Sequence, residues 1–310
     1  MVRVPLGVHA SPSALHAMPL WHRVNAIDFD LHAGSYRSSC DRARSARYNS
    51  SVKIASWNVN SLNVRGPHVE RWCEEHKPDV LALQETKLPD EKFPCEKFAE
   101  FGYQCAFSGQ KSYNGVAILS REPLRDIVTD VDGLDDPARR ILAATIGGGD
   151  RALRIINLYV VNGQSVGSDK YAHKLKWLTH VHGFLREQLA IHPNLAVMGD
   201  FNIAPEDRDV HDPEAWREQV LCSTPERHAL RGIVELGFSD SFRLFSEESG
   251  HYSWWDYRQG AFRRNMGLRI DLILVSAALR TRLKSASIDR TPRTWERPSD
   301  HVPVMIEIEY

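Results

Sequence analysis

From residue 51 onward the chain is a succession of short apolar runs separated by segments with helical spacing, and this constrains its fold more than any other feature. Residues 52–57, 79–84, 115–120, 141–146, 153–161, 194–198, 252–255, 269–275, 283–289 and 302–308 read as strands. Residues 64–76, halted by Pro78, with 169–190 and 225–236 read as helices. Strands this apolar need cover, and layer reasoning places them in two sheets with helices outside. No repeat or long linker interrupts the pattern, so residues 51–310 are expected to form one domain. No apolar run approaches the ~20 residues that would cross a bilayer.

Residues 1–50 differ in kind. They hold six Arg and three Asp but neither Lys nor Glu, a charge of +3 that leaves 33 basic and 37 acidic residues, or −4, for the remainder. With no sustained apolar period, the segment reads as a disordered N-terminal extension or a start-site artefact, Val52 then being a misread start codon. A targeting peptide is the alternative, which Asp28, Asp30 and Asp41 disfavour. The five cysteines, Cys40, Cys73, Cys95, Cys105 and Cys222, are scattered and odd in number, which suits reduced thiols in a cytoplasm better than a disulfide framework or zinc site.

Polar residues gather where the apolar runs end. Asn58 and Asn60 follow the first, Gln84 and Glu85 the second, Asn157, Tyr159 and Asn162 the fifth, and Asp200 and Asn202 the sixth. Asp271 lies inside 269–275, and Asp300 and His301 precede 302–308. Strand ends are where side chains distant in sequence converge on a rigid support. Each has a bland reading: Asp200 and Asn202 as turn residues, Glu85 as a solvated strand end, Asp300 as a loop residue. Asp271, flanked by Ile270 and Leu272, must face a partner or a cavity, since burying an unpaired charge is costly. A set with many carboxylates and amides, one imidazole and no Cys suits a hard cation, Mg²⁺ or else Mn²⁺, rather than zinc.

Seven runs, in order, carry a resemblance. They are Ser56-Trp57-Asn58-Val59-Asn60-Ser61-Leu62, Leu83-Gln84-Glu85-Thr86-Lys87, Asn114-Gly115-Val116-Ala117, Asn157-Leu158-Tyr159-Val160, Gly199-Asp200-Phe201-Asn202-Ile203-Ala204-Pro205, Gly267-Leu268-Arg269-Ile270-Asp271-Leu272 and Arg297-Pro298-Ser299-Asp300-His301-Val302-Pro303-Val304. Through them residues 52–310 resemble the exonuclease III family of DNA repair nucleases, within the endonuclease/exonuclease/phosphatase superfamily. The resemblance implies an α/β fold, a four-layered α/β sandwich of two central mixed β-sheets flanked by helices, as in deoxyribonuclease I.

It also implies roles. Glu85 would be the principal Mg²⁺ ligand with Asn58 and Asp300 nearby, and Asp200 and Asn202 would serve a second metal site if there is one. Tyr159, Asp200, Asn202, Asp271 and His301 would be catalytic: Asp200 on the attacking water, Asn202 and Tyr159 on the phosphate or leaving group, and His301 paired with Asp271. Whether Asp200 or His301 takes the proton stays open. Trp254, Trp255 and Leu268 would line a pocket for a sugar without its base, and Arg258, Arg269 and Asn162 would contact DNA. One of the two tryptophans is expected to be core, since alternate strand residues face opposite sides. Val161 and the Trp254-Trp255 pair depart from the family's commonest pattern.

The implied activity is Mg²⁺-dependent hydrolysis of phosphodiesters 5′ to abasic sites, or removal of nucleotides and blocking groups from 3′ ends, in base excision repair. The partner is double-stranded DNA with abasic sites or recessed or blocked 3′ ends, acted on by a monomer in the cytoplasm, nucleoid-associated if bacterial. Alternatives are another phosphoesterase of the superfamily and a catalytically inactive DNA-binding module.

Overall fold

The computed structural model describes residues 51–309 except 132 and 135. The expectations for residues 1–50, Cys40 included, lie outside the described residues. In chain order the strands are β1 (Ser51–Asn58), β2 (Val80–Gln84), β3 (Gln104–Ser108), β4 (Val116–Ser120), β5 (Leu124–Val128), β6 (Ile141–Ile146), β7 (Leu153–Tyr159), β8 (Leu195–Asp200), β9 (Phe238–Asp240), β10 (Asp271–Ser276), β11 (Leu283–Ile288) and β12 (Val304–Glu309). The α-helices are α1 (Leu62–His76), α2 (Cys95–Glu100), α3 (Asp169–Ile191), α4 (Thr224–Glu235) and α5 (Ala277–Arg280). None is long and apolar enough to cross a membrane.

The strands form two six-stranded mixed sheets, ordered β11-β12-β1-β2-β4-β3 and β5-β6-β7-β8-β10-β9. Alternation within each strand builds the layers. In β2, Val80 and Ala82 turn into the space between the sheets, where they join Ile155, Ala196, Met198 and Ile273 of the second sheet. Leu81 and Leu83 turn outward onto Trp72 and Val69 of α1 and Phe98 of α2. On the far side, Ile156, Val197 and Leu272 pack against Trp177, Leu178 and Val181 of α3 and Leu230 and Ile233 of α4. The result is the four-layered α/β sandwich, helices outside two sheets.

Local signals explain the helix starts. The Ser168 hydroxyl caps α3 by accepting from the Tyr171 N–H, and Ser223 and Glu226 form a capping box on α4. One sequence expectation fails: residues 252–255 form no strand, and only single bridges join Trp254 to Leu268 and to His301. Its aromatic composition suits β structure, but the segment spends its hydrogen bonds on loop partners, Trp254 on Leu268 and Trp255 on Asp300.

The two sheets are pinned through their core. Asn157 of β7, fully buried, donates from its amide to the carbonyls of Leu83 in β2 and Ala117 in β4, both at 2.9 Å. Its Oδ1 accepts from Gln84 at 2.8 Å. So Asn157 and Gln84, polar residues that look like site candidates in the sequence, fasten one sheet to the other. An N157L variant, which removes this pin without removing bulk, is expected to lose about 1–3 kcal/mol in urea unfolding; stability equal to wild type would contradict the role.

Candidate active site

β1 runs parallel to β2, and β7 to β8, so Asn58, Glu85, Tyr159 and Asp200 emerge from C-terminal strand ends. β10 and β12 run antiparallel to β8 and β1, and their N-terminal ends bring Asp271, and Asp300 with His301, to the same edge. Asp271 pairs in register with Asp200, and Asp200 with Tyr159.

The backbone there is strained. Glu85, Asn60 and Asn202 have φ of 52°, 45° and 49°, the left-handed region that costs a non-glycine residue about 1–2 kcal/mol. Neighbouring hydrogen bonds hold them: Ser61 N–H donates to the Glu85 carbonyl at 2.7 Å, and Thr86 N–H to Gly115 at 3.1 Å. Two glycines are obligatory. A Cβ on Gly115 would lie 2.2 Å from the Thr86 hydroxyl, and one on Gly199 would lie 1.9 Å from the Leu158 carbonyl oxygen.

Asp200 is the hub. Its carboxylate accepts from the Asn202 backbone at 2.9 Å, the Asn202 amide at 3.1 Å and the Asn58 amide at 2.9 Å. The same Asn58 nitrogen donates to Glu85 at 2.9 Å, so one amide bridges a carboxylate from each sheet. His301 stands on the other side, with Nδ1 2.9 Å from Asp271 and Nε2 3.8 Å from Asp200. Burial lowers the His301 pKa, but the Asp271 and Asp200 carboxylates overrule it and raise it to about 10. Burial pushes the Asp200 carboxyl above the usual carboxylate range, against the pull of His301 and with help from Asp271 and Glu85. Tyr159 is held well above its usual value by burial and by the charges of Glu85 and Asp200, so its phenol keeps its proton. Arg140 stacks over its ring at 4.6 Å.

Glu85, Asp200 and His301 each place a ligand-type atom within 4.8 Å of the others. Glu85 and Asp200 offer carboxylate oxygens to that group, and the Nδ1 of His301 is taken by Asp271. That set fits a hard divalent cation that keeps water in its shell. The two amides fit less well as ligands. Asn58 turns its NH₂ toward Glu85 and Asp200 while its oxygen accepts the Asn60 N–H at 3.0 Å. Asn202 likewise gives its NH₂ to Asp200, and its oxygen accepts from Asn162 at 3.0 Å. In this arrangement both amides donate to the carboxylates and orient them. Asp300 sits beside the site with its oxygens taken by the Asn60 amide at 2.9 Å and the Trp254 indole at 3.0 Å.

The expected DNA-facing residues divide. Asn162 and Arg258 are exposed, Arg258 paired with Asp256 at 2.6 Å. Arg269 is not a surface residue: it is 1% exposed and its guanidinium bonds Asp209 at 2.6 Å and Asp240 at 2.7 Å. Trp255 is fully buried against Phe262 and Tyr252 and belongs to the core. Leu268 is buried as well, packed with Ile270, Val210 and Trp254, of which only Trp254 keeps partial exposure. Asn60, one of the polar residues at the strand ends, and Lys87 both stand in the site: Lys87 ion-pairs Glu85 at 2.8 Å and donates to Asn60 at 2.5 Å. Lys174 and Glu226, buried behind Asn202, carried no local signal beyond their places on helices.

Known proteins bear on this arrangement. The sequence model of the Endonuclease/Exonuclease/phosphatase family matches residues 55–301. The chain is 35% identical to exodeoxyribonuclease III of Haemophilus influenzae over 270 residues, 83% of this chain and 100% of that one. The solved structure of the 3′ phosphatase NExo from Neisseria bound to a product DNA hairpin is similar at TM-score 0.81 and 45% identity, covering 84% of this chain and all of that one. An AP endonuclease from Archaeoglobus fulgidus is similar at TM-score 0.79 and 37% identity, with 84% and 100% covered. A match that starts in β1, ends on His301 and takes in every strand end of the site places this chain in the endonuclease/exonuclease/phosphatase family, among the exonuclease III proteins.

Proposed function

We propose that the protein is a DNA repair nuclease, a hydrolase that uses Mg²⁺ to cleave phosphodiesters at abasic sites and at 3′ ends. The observation that carries this reading is the line Asp271–His301–Asp200 beside Glu85, with the His301 imidazole 2.9 Å from Asp271 and 3.8 Å from Asp200. The cation, held by Glu85 and Asp200 with Asp300 nearby, would neutralise charge on a phosphate oxygen. Asp200, whose carboxylate is oriented by the Asn58 amide and by the Asn202 backbone and amide, is placed to orient the attacking water and accept its proton. His301, kept charged by Asp271, then serves as a phosphate-binding cation rather than as the base. Tyr159, whose phenol keeps its proton, donates to a phosphate oxygen, while the Asn202 amide, spent on Asp200 and the Val160 carbonyl, holds Asp200 in place. Water adds to phosphorus, giving its proton to Asp200, as the bond to the 3′ oxygen breaks; the departing oxygen takes a proton from solvent, which leaves a 3′-hydroxyl.

The Neisseria relative named a 3′ phosphatase is more similar in sequence, at 45%, than the AP endonuclease at 37%, which favours 3′-end processing as the larger activity. Action as a monomer, in the cytoplasm and on double-stranded DNA, completes the reading.

Labelled duplexes with an abasic analogue, a recessed 3′ end or a 3′-phosphate, incubated with Mg²⁺, test it directly. Cleavage is expected on all three, fastest at the 3′-phosphate, and EDTA should stop it; no cleavage of any duplex while a soluble phosphoester is hydrolysed would overturn it. E85A and D200A are each expected to lower the rate at least about 100-fold, as removal of preorganised electrostatic groups commonly does. Wild-type rates in either would remove that residue from the chemistry.

The His301 titration is a separate measurement. Because its pKa is raised in the folded protein, its contribution to stability is complete below 6.5 and is lost as pH rises through about 10. The ¹⁵N imidazole signals should titrate near 10 in wild type, and in D271N the midpoint should fall, since burial then acts with less opposition. An unchanged midpoint in D271N would show that Asp271 does not hold the proton on His301.

A further inference from the structure

Lys174 of α3 is fully buried, directly behind the site. Its ammonium donates to the Asn202 carbonyl at 2.7 Å, to the Asn162 carbonyl at 3.1 Å and to the Glu226 carboxylate of α4. Those contacts use all three of its N–H donors. Glu226 is equally saturated: it accepts from the Leu221 N–H at 3.1 Å, the Ser223 N–H at 3.2 Å and the Ser223 hydroxyl at 2.5 Å. The carbonyls that Lys174 holds belong to the two loops, after β7 and after β8, whose side chains meet in front of it. There Asn162 donates to Asn202 at 3.0 Å, and Asn202 donates to Asp200.

A buried ion pair is a poor stabilising device, because its desolvation cost cancels much of its attraction and an apolar pair of similar volume is often as stable. What an apolar pair cannot do is hold two carbonyls of separate loops at one point. The Asn202 backbone, at φ 49°, has reason to relax if released.

We propose that Lys174, charge-balanced by Glu226, is a positioning residue that clamps the Asn162 and Asn202 loops and so fixes the amide donor that orients Asp200. It touches neither DNA nor cation and acts only through the two asparagines. The inference rests on the nuclease reading for its kinetic consequence, but not for its geometry.

The test compares wild type, K174M/E226L and K174R on the 3′-phosphate duplex at saturating Mg²⁺, with unfolding and side-chain amide NMR measured on the same samples. The double variant should unfold cooperatively at a midpoint within about 4 °C of wild type. Its kcat should fall about 10- to 100-fold, the range for loss of a partner behind a site, with KM for DNA changed far less. The Asn162 and Asn202 amide signals should shift or broaden, and K174R, which can still donate to both carbonyls, should recover part of kcat. A folded double variant with wild-type kcat and unmoved amide signals overturns the proposal. Loss of the fold in both variants overturns it as well, by assigning the pair to stability. If wild type cleaves none of the duplexes the nuclease reading falls, and the amide signals still decide whether the clamp exists.

Discussion

One carboxamide holds the chemistry together. Glu85 comes from the first sheet and Asp200 from the second, and two carboxylates so close would repel each other if nothing lay between them. The Asn58 nitrogen sits between, with one N–H for each at 2.9 Å. A hydrogen bond from a neutral amide to a carboxylate is charge-assisted and short, and here it is made twice from a single atom. It fixes the separation of the two acids. The Asn157 and Gln84 contacts deeper between the sheets bear on the same quantity, since the Asn58 bridge spans only if the sheets keep their relative position.

The strained residues serve the same geometry. Glu85 and Asn202 lie just past strand ends, where a continuing extended backbone would carry their side chains away from the edge. The left-handed turn at each redirects the chain. Such conformations persist when surrounding contacts over-determine them, and here those contacts are visible: the Gly115 carbonyl behind Thr86, the Asp200 carboxylate on the Asn202 N–H, and the ammonium of Lys174 on the Asn202 carbonyl. The obligatory glycines serve close approach, Gly115 to Thr86 and Gly199 to the Leu158 backbone of β7.

Much of this is legible in the sequence, and the part that is not follows a rule. Strands with dense apolar content, such as β6 over Ile141–Ile146, can be read to the residue; edge strands such as β5, Leu124–Val128, with Arg125 and Asp126 in the middle, cannot, because they carry little core. Asp271 could be told from a surface acid because its neighbours are apolar, and its partner proves to be His301. Arg269 misleads for the converse reason. Arginines crowd its segment and suggest a DNA-facing patch, while the two acids that bury it, Asp209 and Asp240, lie 60 and 29 residues away. Asn58 and Asn202 are legible as site residues but not as donors, because which end of an amide faces a carboxylate is decided by what the other end bonds. Lys174 looks like any helix lysine until the fold places Asn162, Asn202 and Glu226 around it.

The same locality answers how a chain with more acids than bases can work on a polyanion. At the site edge stand four carboxylates, Glu85, Asp200, Asp271 and Asp300, and two cations, the His301 imidazolium and the Lys87 ammonium. The carboxylates outnumber these two cations, and a bound divalent cation would offset the excess. Without that cation, the low-dielectric edge can reduce its charge only by taking up protons. Asp200 is the group whose carboxyl burial has already raised toward neutrality. Cation binding and Asp200 ionisation are therefore coupled, each favouring the other. Near-neutrality of the whole chain is thus no obstacle to DNA. The acids that outnumber the bases include the very groups whose charge is answered by a cation when phosphate arrives, and the compensation is confined to a few ångströms around Asp200.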